Sequence, residues 1–226
     1  MNHLFQATAL FALSFPAFAG DVEGRAIITK RLTKKVLSPV TYNLRGAVPA
    51  HSASGKPESV NEFTRLVVML EGGNQAPMPP ETAVIDQRDM RFDPDLVIVP
   101  VGATVQFPNS DPIFHNIFSL SKTQPFDLGY YPRGQSRTVK LPRAGVVQVY
   151  CHIHANMYAA IVVTASRWYA KPSADGSFSW SGVSAGHYRL TAWHKIAGFF
   201  KTEIDVPESG KVDAAIRIPI DVEASH

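Results

Sequence analysis

Cys151, His154 and Met157 follow the spacing Cys-x2-His-x2-Met within "VVQVYCHIHANMYAAIVV" (residues 146–163), and Cys151 is the only cysteine of the 226-residue chain. A fourth donor, His115, stands upstream in "FPNSDPIFHN". Together they offer a thiolate, two imidazoles and a thioether. A trigonal thiolate and two imidazoles with a long axial thioether suit both oxidation states of copper. Zinc would accept the cysteine and two histidines, but it rarely takes methionine and has no redox chemistry. The set favours copper. Each residue alone has an ordinary explanation: a small buried hydrophobe for Cys151, packing for Met157, a hydrogen-bonded side chain for His115. Their joint spacing argues against four separate accidents.

The elements that must position these donors read as strands. In "GVVQVYC" the residues Val147, Val149 and Cys151 share one face and Val146, Gln148 and Tyr150 the other, as a period of two requires. Cys151 therefore points with the core valines, and the ligand loop begins where that strand ends. Val105 and Phe107 alternate in the same way in "ATVQFP". Further candidate strands are "AVIDQ", "DLVIVP", "FHNIFSL", "SRTVKL" and "YAAIVVTA", separated by turn residues. Gly20 to Lys30 and Thr64 to Gly72 read as two earlier strands around a polar stretch, "VPAHSASGKPES", expected as a surface loop. A last block carries Tyr188, Leu190 and Ala192 on one strand face and Ile216, Ile218 and Ile220 on another, after an Asp-Gly turn at 175–176. With 17 prolines, 15 glycines and no amphipathic helix longer than about three turns, the class is all-β.

Residues 1–19, "MNHLFQATALFALSFPAFA", hold no Lys, Arg, Asp or Glu and end in Ala-Phe-Ala before Gly20. They read as a signal peptide cleaved near Ala19, so an exported protein is expected. That stretch is too short to span a bilayer, and no later run reaches the roughly 20 apolar residues of a membrane helix, so no stable membrane insertion is expected. In an oxidising compartment cysteines usually pair, and a lone one is a bridge between chains, a free thiol or a ligand. The formal charge of +3 is spread out apart from "KRLTKK" at residues 30–35. This does not make the concentrated basic face of a nucleic-acid binder, so no nucleic acid is expected as a partner.

On its motifs, about residues 80 to 165 resemble the cupredoxins, the blue copper proteins of plastocyanin and amicyanin type, and "CHIHANM" matches the short amicyanin spacing. The resemblance implies His115, Cys151, His154 and Met157 as the four ligands of one type 1 copper per chain. Asn116 matches the position that ties the two ligand loops together, and Tyr150 a tyrosine that offers a remote electron path. "FPNSDPIFHNIFS", "FDLGYYPRGQS" and "CHIHANM" together look like periplasmic plastocyanin-like proteins labelled methylamine utilisation proteins. "SADGSFSWSGVSAGHYRLTAWH" is similar to the second half of a carboxypeptidase regulatory-like, transthyretin-like sandwich, whose first half would be residues 20–73. The expected fold is a cupredoxin Greek-key β-sandwich plus a second small transthyretin-like β-sandwich. The expected division is a signal peptide (1–19), N-terminal strands of the transthyretin-like sandwich (20–75), a copper domain (76–165) inserted into it, and the remainder of that sandwich (166–222).

Two further signals compete. His152, beside the thiolate, is placed where multicopper enzymes lead electrons to a second centre, but the remaining histidines (His51, His187, His194, His226) lie in other blocks, and an exposed loop side chain is favoured. "GVSAG" (182–186) satisfies Gly-x-Ser-x-Gly, but without a strand-to-helix elbow Ser184 reads as a turn residue. The expected function is single-electron transfer between periplasmic redox proteins, with His154 as the port and no enzymatic activity. The competing expectations are copper delivery or a module that binds an envelope partner, and, behind these, a copper enzyme with a second centre at His152.

Overall fold

The structure is a computed structural model that describes residues 19–29, 61–73 and 75–219. Residues 1–18 of the expected signal peptide, "KRLTKK", the polar "VPAHSASGKPES" stretch, His51, Ile220 and His226 lie outside the described residues. In chain order the strands are β1 (Ala19–Ile28), β2 (Leu66–Glu71), β3 (Thr82–Val84), β4 (Asp86–Arg88), β5 (Arg91–Asp93), β6 (Leu96–Pro100), β7 (Thr104–Pro108), β8 (His115–Ser119) and β9 (Phe126–Tyr131). They continue with β10 (Ser136–Lys140), β11 (Gly145–Tyr150), β12 (Tyr158–Thr164), β13 (Tyr169–Ala170), β14 (Ser177–Ser184), β15 (Gly186–His194), β16 (Gly198–Val206) and β17 (Lys211–Ile218). Among the described residues the only helical piece is a 3-10 turn, Glu62–Arg65, capped by Asn61, and no helix is long and apolar enough to cross a membrane. The protein is all-β.

Four larger sheets stack as layers, and three apolar cores identify the order. The outermost sheet, β14-β1-β17, packs on β13-β2-β15-β16 through a core that includes Val22, Trp180, Leu70, Leu190 and Ile216. At the other end β10-β7-β3 packs on β6-β12-β11-β8-β9 through Val105, Phe107, Val147, Val149, Ile161 and Cys151. The two inner sheets meet through a third core of Val67, Met69, Leu96, Ala160, Val162 and Trp193. Alternate residues of β2 therefore serve different cores, Leu66, Val68 and Leu70 facing outward and Val67 and Met69 inward. "LVVML" lacks alternation because both of its faces are covered, and the same holds for "YAAIVVT" in β12.

β2 runs antiparallel to β15, with Leu70 opposite Leu190 and His194 opposite Leu66, and its other edge takes β13. None of its pairings is with a strand of residues 82–164. β1 joins β14 antiparallel and β17 parallel. Around the copper-type donors, β11 lies between β12, paired along its whole length, and β8, touched only through Tyr150 opposite Phe118. That one pair lies directly before Cys151, so it holds the start of the Cys151 loop against β8.

Three elements differ from the sequence expectation. "AVIDQ" is broken at Ile85, which is fully buried and donates its N–H to Gln106 O, so β3 and β4 are separate strands in separate sheets. β5 pairs with β4 as a hairpin whose turn residues, Asp89 and Met90, both have φ of 54°. "FDLGYY" forms an additional strand, β9, on the edge of the inner sheet beside β8.

Candidate metal centre

β11 ends one residue before Cys151, whose side chain continues the inward face of Val147 and Val149 and is 5% exposed. The chain then turns through residues 151–157, a loop held by the Met157 N–H donating to His154 O at 3.0 Å. His115 opens β8 and is completely buried. These two chain segments bring Cys151 Sγ to 3.8 Å from His115 Nδ1 and 3.7 Å from His154 Nδ1, while the two Nδ1 atoms are 3.0 Å apart. All three donor atoms lie within 4.8 Å of one another, and among the described residues this is the one such group of His, Cys, Asp or Glu. Met157 is 1% exposed and packs in the same core as Cys151, whereas His154 is half-buried.

The far nitrogen of His115 decides what its near nitrogen can do. His115 Nε2 lies 2.7 Å from Asp111 Oδ2. A carboxylate only accepts, so the proton sits on Nε2 and the Nδ1 lone pair faces Cys151 and His154. Asp111 is itself buried, which raises its pKa, but the amide of Met90, the His115 ring and the amide of Asp89 outweigh burial and hold the carboxyl below its ordinary value. An acceptor behind a ligating imidazole fixes its tautomer and increases its basicity. The donor set therefore fits a copper ion: two imidazole nitrogens and one sulfur converge, one imidazole is pre-oriented, and a buried thioether is part of the same core.

The Asn116 side chain reaches β9. It is one residue out of phase with His115, donates to Asp127 Oδ1 at 2.7 Å in β9, and its own Oδ1 has no protein partner. Tyr150 faces away from the donors, stacked on Tyr158 at 5.3 Å and tilted against Phe118 at 5.8 Å. His152 is exposed and rests on Phe118, with ring centroids 3.9 Å apart. His187 and His194 belong to β15, in the other sandwich, and Ser184 ends β14, where its carbonyl accepts from Tyr188 Oη. Sequence reasoning missed Asp111. Its only signal is an aspartate four residues before His115, inside a run that also reads as a plain Asn-Ser-Asp-Pro turn.

No protein-family model matches the chain, and no curated protein matches it either. Among solved structures, a methionine-to-alanine variant of amicyanin in its Cu(I) form is similar at 21% identity over 37% of this chain and 82% of its own, with a TM-score of 0.35. A purple cupredoxin from Nitrosopumilus maritimus matches at 24% identity over 36% of this chain and 99% of its own, with a TM-score of 0.34. A copper-containing nitrite reductase from Thermus scotoductus SA-01 matches at 23% identity over 42% of this chain and 25% of its own, with a TM-score of 0.35. The last match corrects the expectation that the chain is not an enzyme.

Proposed function

We propose that this protein binds one copper ion through His115, Cys151, His154 and Met157 and passes single electrons between redox proteins of the periplasm. The observation that carries the reading is the convergence of His115 Nδ1, Cys151 Sγ and His154 Nδ1 within 4.8 Å at the edge of a packed β-core. A copper ion there would supply one-electron redox chemistry. The chain's own contribution is to hold the donors in place: β8 and β11 present His115 and Cys151 from a rigid sheet, while Asp111 orients His115. A site whose donors are already positioned changes little between oxidation states, which favours rapid exchange. His154, half-buried between exposed Ile153 and Ala155, is the electron port to a donor and an acceptor docking by turns. Such partners make small, weak contacts. The cupredoxin-like architecture of the inner and outer sheets over residues 82–164 supports the same reading, as does the resemblance of "CHIHANM" to the amicyanin loop. The plastocyanin-like group labelled methylamine utilisation proteins is the proposed relationship. The proposed periplasmic location rests on residues 1–19, read as an export signal, and on that same resemblance.

The same reading takes residues 76–165 as a copper domain inserted into a transthyretin-like sandwich of residues 20–75 and 166–222. The pairing of β2 with β15 supports it. Copper delivery is the second reading, favoured only by the exposed loop flank at His152, Ile153 and Ala155. Optical titration and voltammetry separate the two. An electron carrier shows intense thiolate-to-copper absorption and reversible reduction with the metal retained. A colourless complex, or one that releases copper on reduction, would favour delivery.

A further inference from the structure

Asp111 does more than accept one proton donor. Its Oδ1 takes the Asp89 N–H at 2.6 Å, and its Oδ2 takes both the Met90 N–H at 2.9 Å and the His115 Nε2–H at 2.7 Å. Asp89 and Met90 form the two-residue turn of the β4–β5 hairpin and sit at φ of 54°, a left-handed conformation usually given to glycine or asparagine. The hairpin turn thus presents both of its amides to one carboxylate, which is 5% exposed. The loop carrying Asp111 is fixed in turn. Asp111 N–H donates to Asn109 Oδ1 at 3.0 Å, and Asn109 Nδ2 donates to Ile113 O at 2.9 Å and Tyr131 O at 3.1 Å.

We infer that Asp111 is the positioning residue of the metal centre: the β4–β5 turn aims its carboxylate at His115 Nε2, and the carboxylate sets the tautomer and donor strength of His115 toward the metal. The inference rests on the proposed copper site for its redox consequence, but the tautomer it assigns belongs to the metal-free chain. A carboxylate behind a ligating histidine makes the imidazole a stronger donor, which favours the higher oxidation state of a bound ion. Two amides directed at the carboxylate prevent it from rotating away, so a hairpin outside both ligand loops controls the geometry of a ligand. Among the described residues no other side chain is hydrogen-bonded to His115 Nε2.

The test has a metal-free and a metal-bound arm. In metal-free protein, nitrogen-15 NMR of the imidazoles is expected to find His115 locked as the Nε2–H tautomer. In Asp111→Asn that preference is lost, because an amide can donate to Nε2. In the copper-loaded protein, Asp111→Asn is expected to weaken Cu(II) binding roughly 10- to 100-fold. The reduction potential then rises by about 59 mV for each tenfold loss of Cu(II) affinity relative to Cu(I). A residue with only a structural role would move stability and leave tautomer and potential alone. An Nδ1–H tautomer of His115 in the metal-free wild type would overturn the inference, and so would a variant with unchanged Cu(II) affinity and potential. If the wild type shows no thiolate-to-copper absorption, the copper reading fails, and the metal-free arm still decides the assignment of Asp111. That arm reads the wild type first and so survives a variant that does not fold.

Discussion

Acidification should destabilise the protein through one residue far from the metal centre, His194. It closes β15, has no solvent exposure, and its Nδ1 accepts the N–H groups of Ile196 and Ala197, each at 3.2 Å. The proton of the neutral ring is therefore on Nε2, which lies 3.4 Å from Glu62 Oε2 without a hydrogen bond. Protonating Nδ1 would break both turn contacts and place a charge in the core. Burial accordingly lowers the His194 pKa from 6.5 to about 4, against a smaller opposing effect of Glu62, and the positive charge of Arg65 acts in the same direction as burial. The unfolded chain takes up a proton near pH 6.5 and the folded chain only near pH 4, so the unfolded state binds more protons in that window. Stability is then complete above pH 6.5 and falls as the pH drops toward 4. With those two values, linkage gives a loss of about 2 kcal/mol between pH 8 and pH 5, out of about 3 kcal/mol at the acid limit. Glu62 acts in the opposite direction: burial raises its pKa, so the folded chain protonates it first and gains stability on acidification. The assay is urea denaturation of metal-free wild type and His194→Gln at pH 8 and pH 5. Glutamine keeps an acceptor for the turn and does not titrate, so the wild type should lose about 2 kcal/mol more than the variant. Equal acid losses in the two proteins, or an NMR titration of folded His194 near pH 6.5, would refute the reasoning.

Other consequences follow from packing and from the ligands. Leu96→Ala removes a fully buried side chain from the core between the inner sheets and should cost about 2–5 kcal/mol by chemical denaturation. Because that core is continuous with both sandwiches, calorimetry of the wild type should show one cooperative transition, and two separated transitions would contradict the shared core. Tyr131→Phe deprives Gln87 Nε2 of an acceptor at 2.7 Å and Phe107 O of a donor at 2.8 Å, and a loss of about 1–3 kcal/mol is expected in the same assay. Met157→Leu should keep the colour of the copper protein and raise its potential, measured by voltammetry, whereas a colourless variant would place Met157 in a different role.

What could be read from the chain depended on how far apart the interacting parts were. β7 alternates because it has one face in a core and one toward solvent, and β11 alternates because fully buried Val147 and Val149 face the core opposite half-buried Val146 and Tyr150 and exposed Gln148, so Val147, Val149 and Cys151 could be assigned to one side. β2 and β12 show no alternation because cores cover both of their faces, and the sequence alone does not reveal which residues serve which core. The β4–β5 hairpin was invisible because its Asp89-Met90 turn lacks the glycine or asparagine that usually announces one. β9 was hidden by Gly129, at φ of 69° in mid-strand, and by its edge position, where only Tyr131 is buried. In the metal centre, Cys151, His154 and Met157 stand within seven residues and could be grouped by spacing, with His115 added from an earlier strand. Asp111 could not, because its role arises only when a hairpin 21 residues upstream presents two amides to it.

The measurement that bears most directly on the central claim is the visible absorption spectrum of the copper-loaded protein, recorded with a metal count, beside that of Cys151→Ser. One copper per chain with an intense thiolate-to-copper band, abolished in a folded Cys151→Ser protein, is the predicted result. A wild type without that band, or a Cys151→Ser protein that keeps it, would contradict a copper site built on His115, Cys151 and His154.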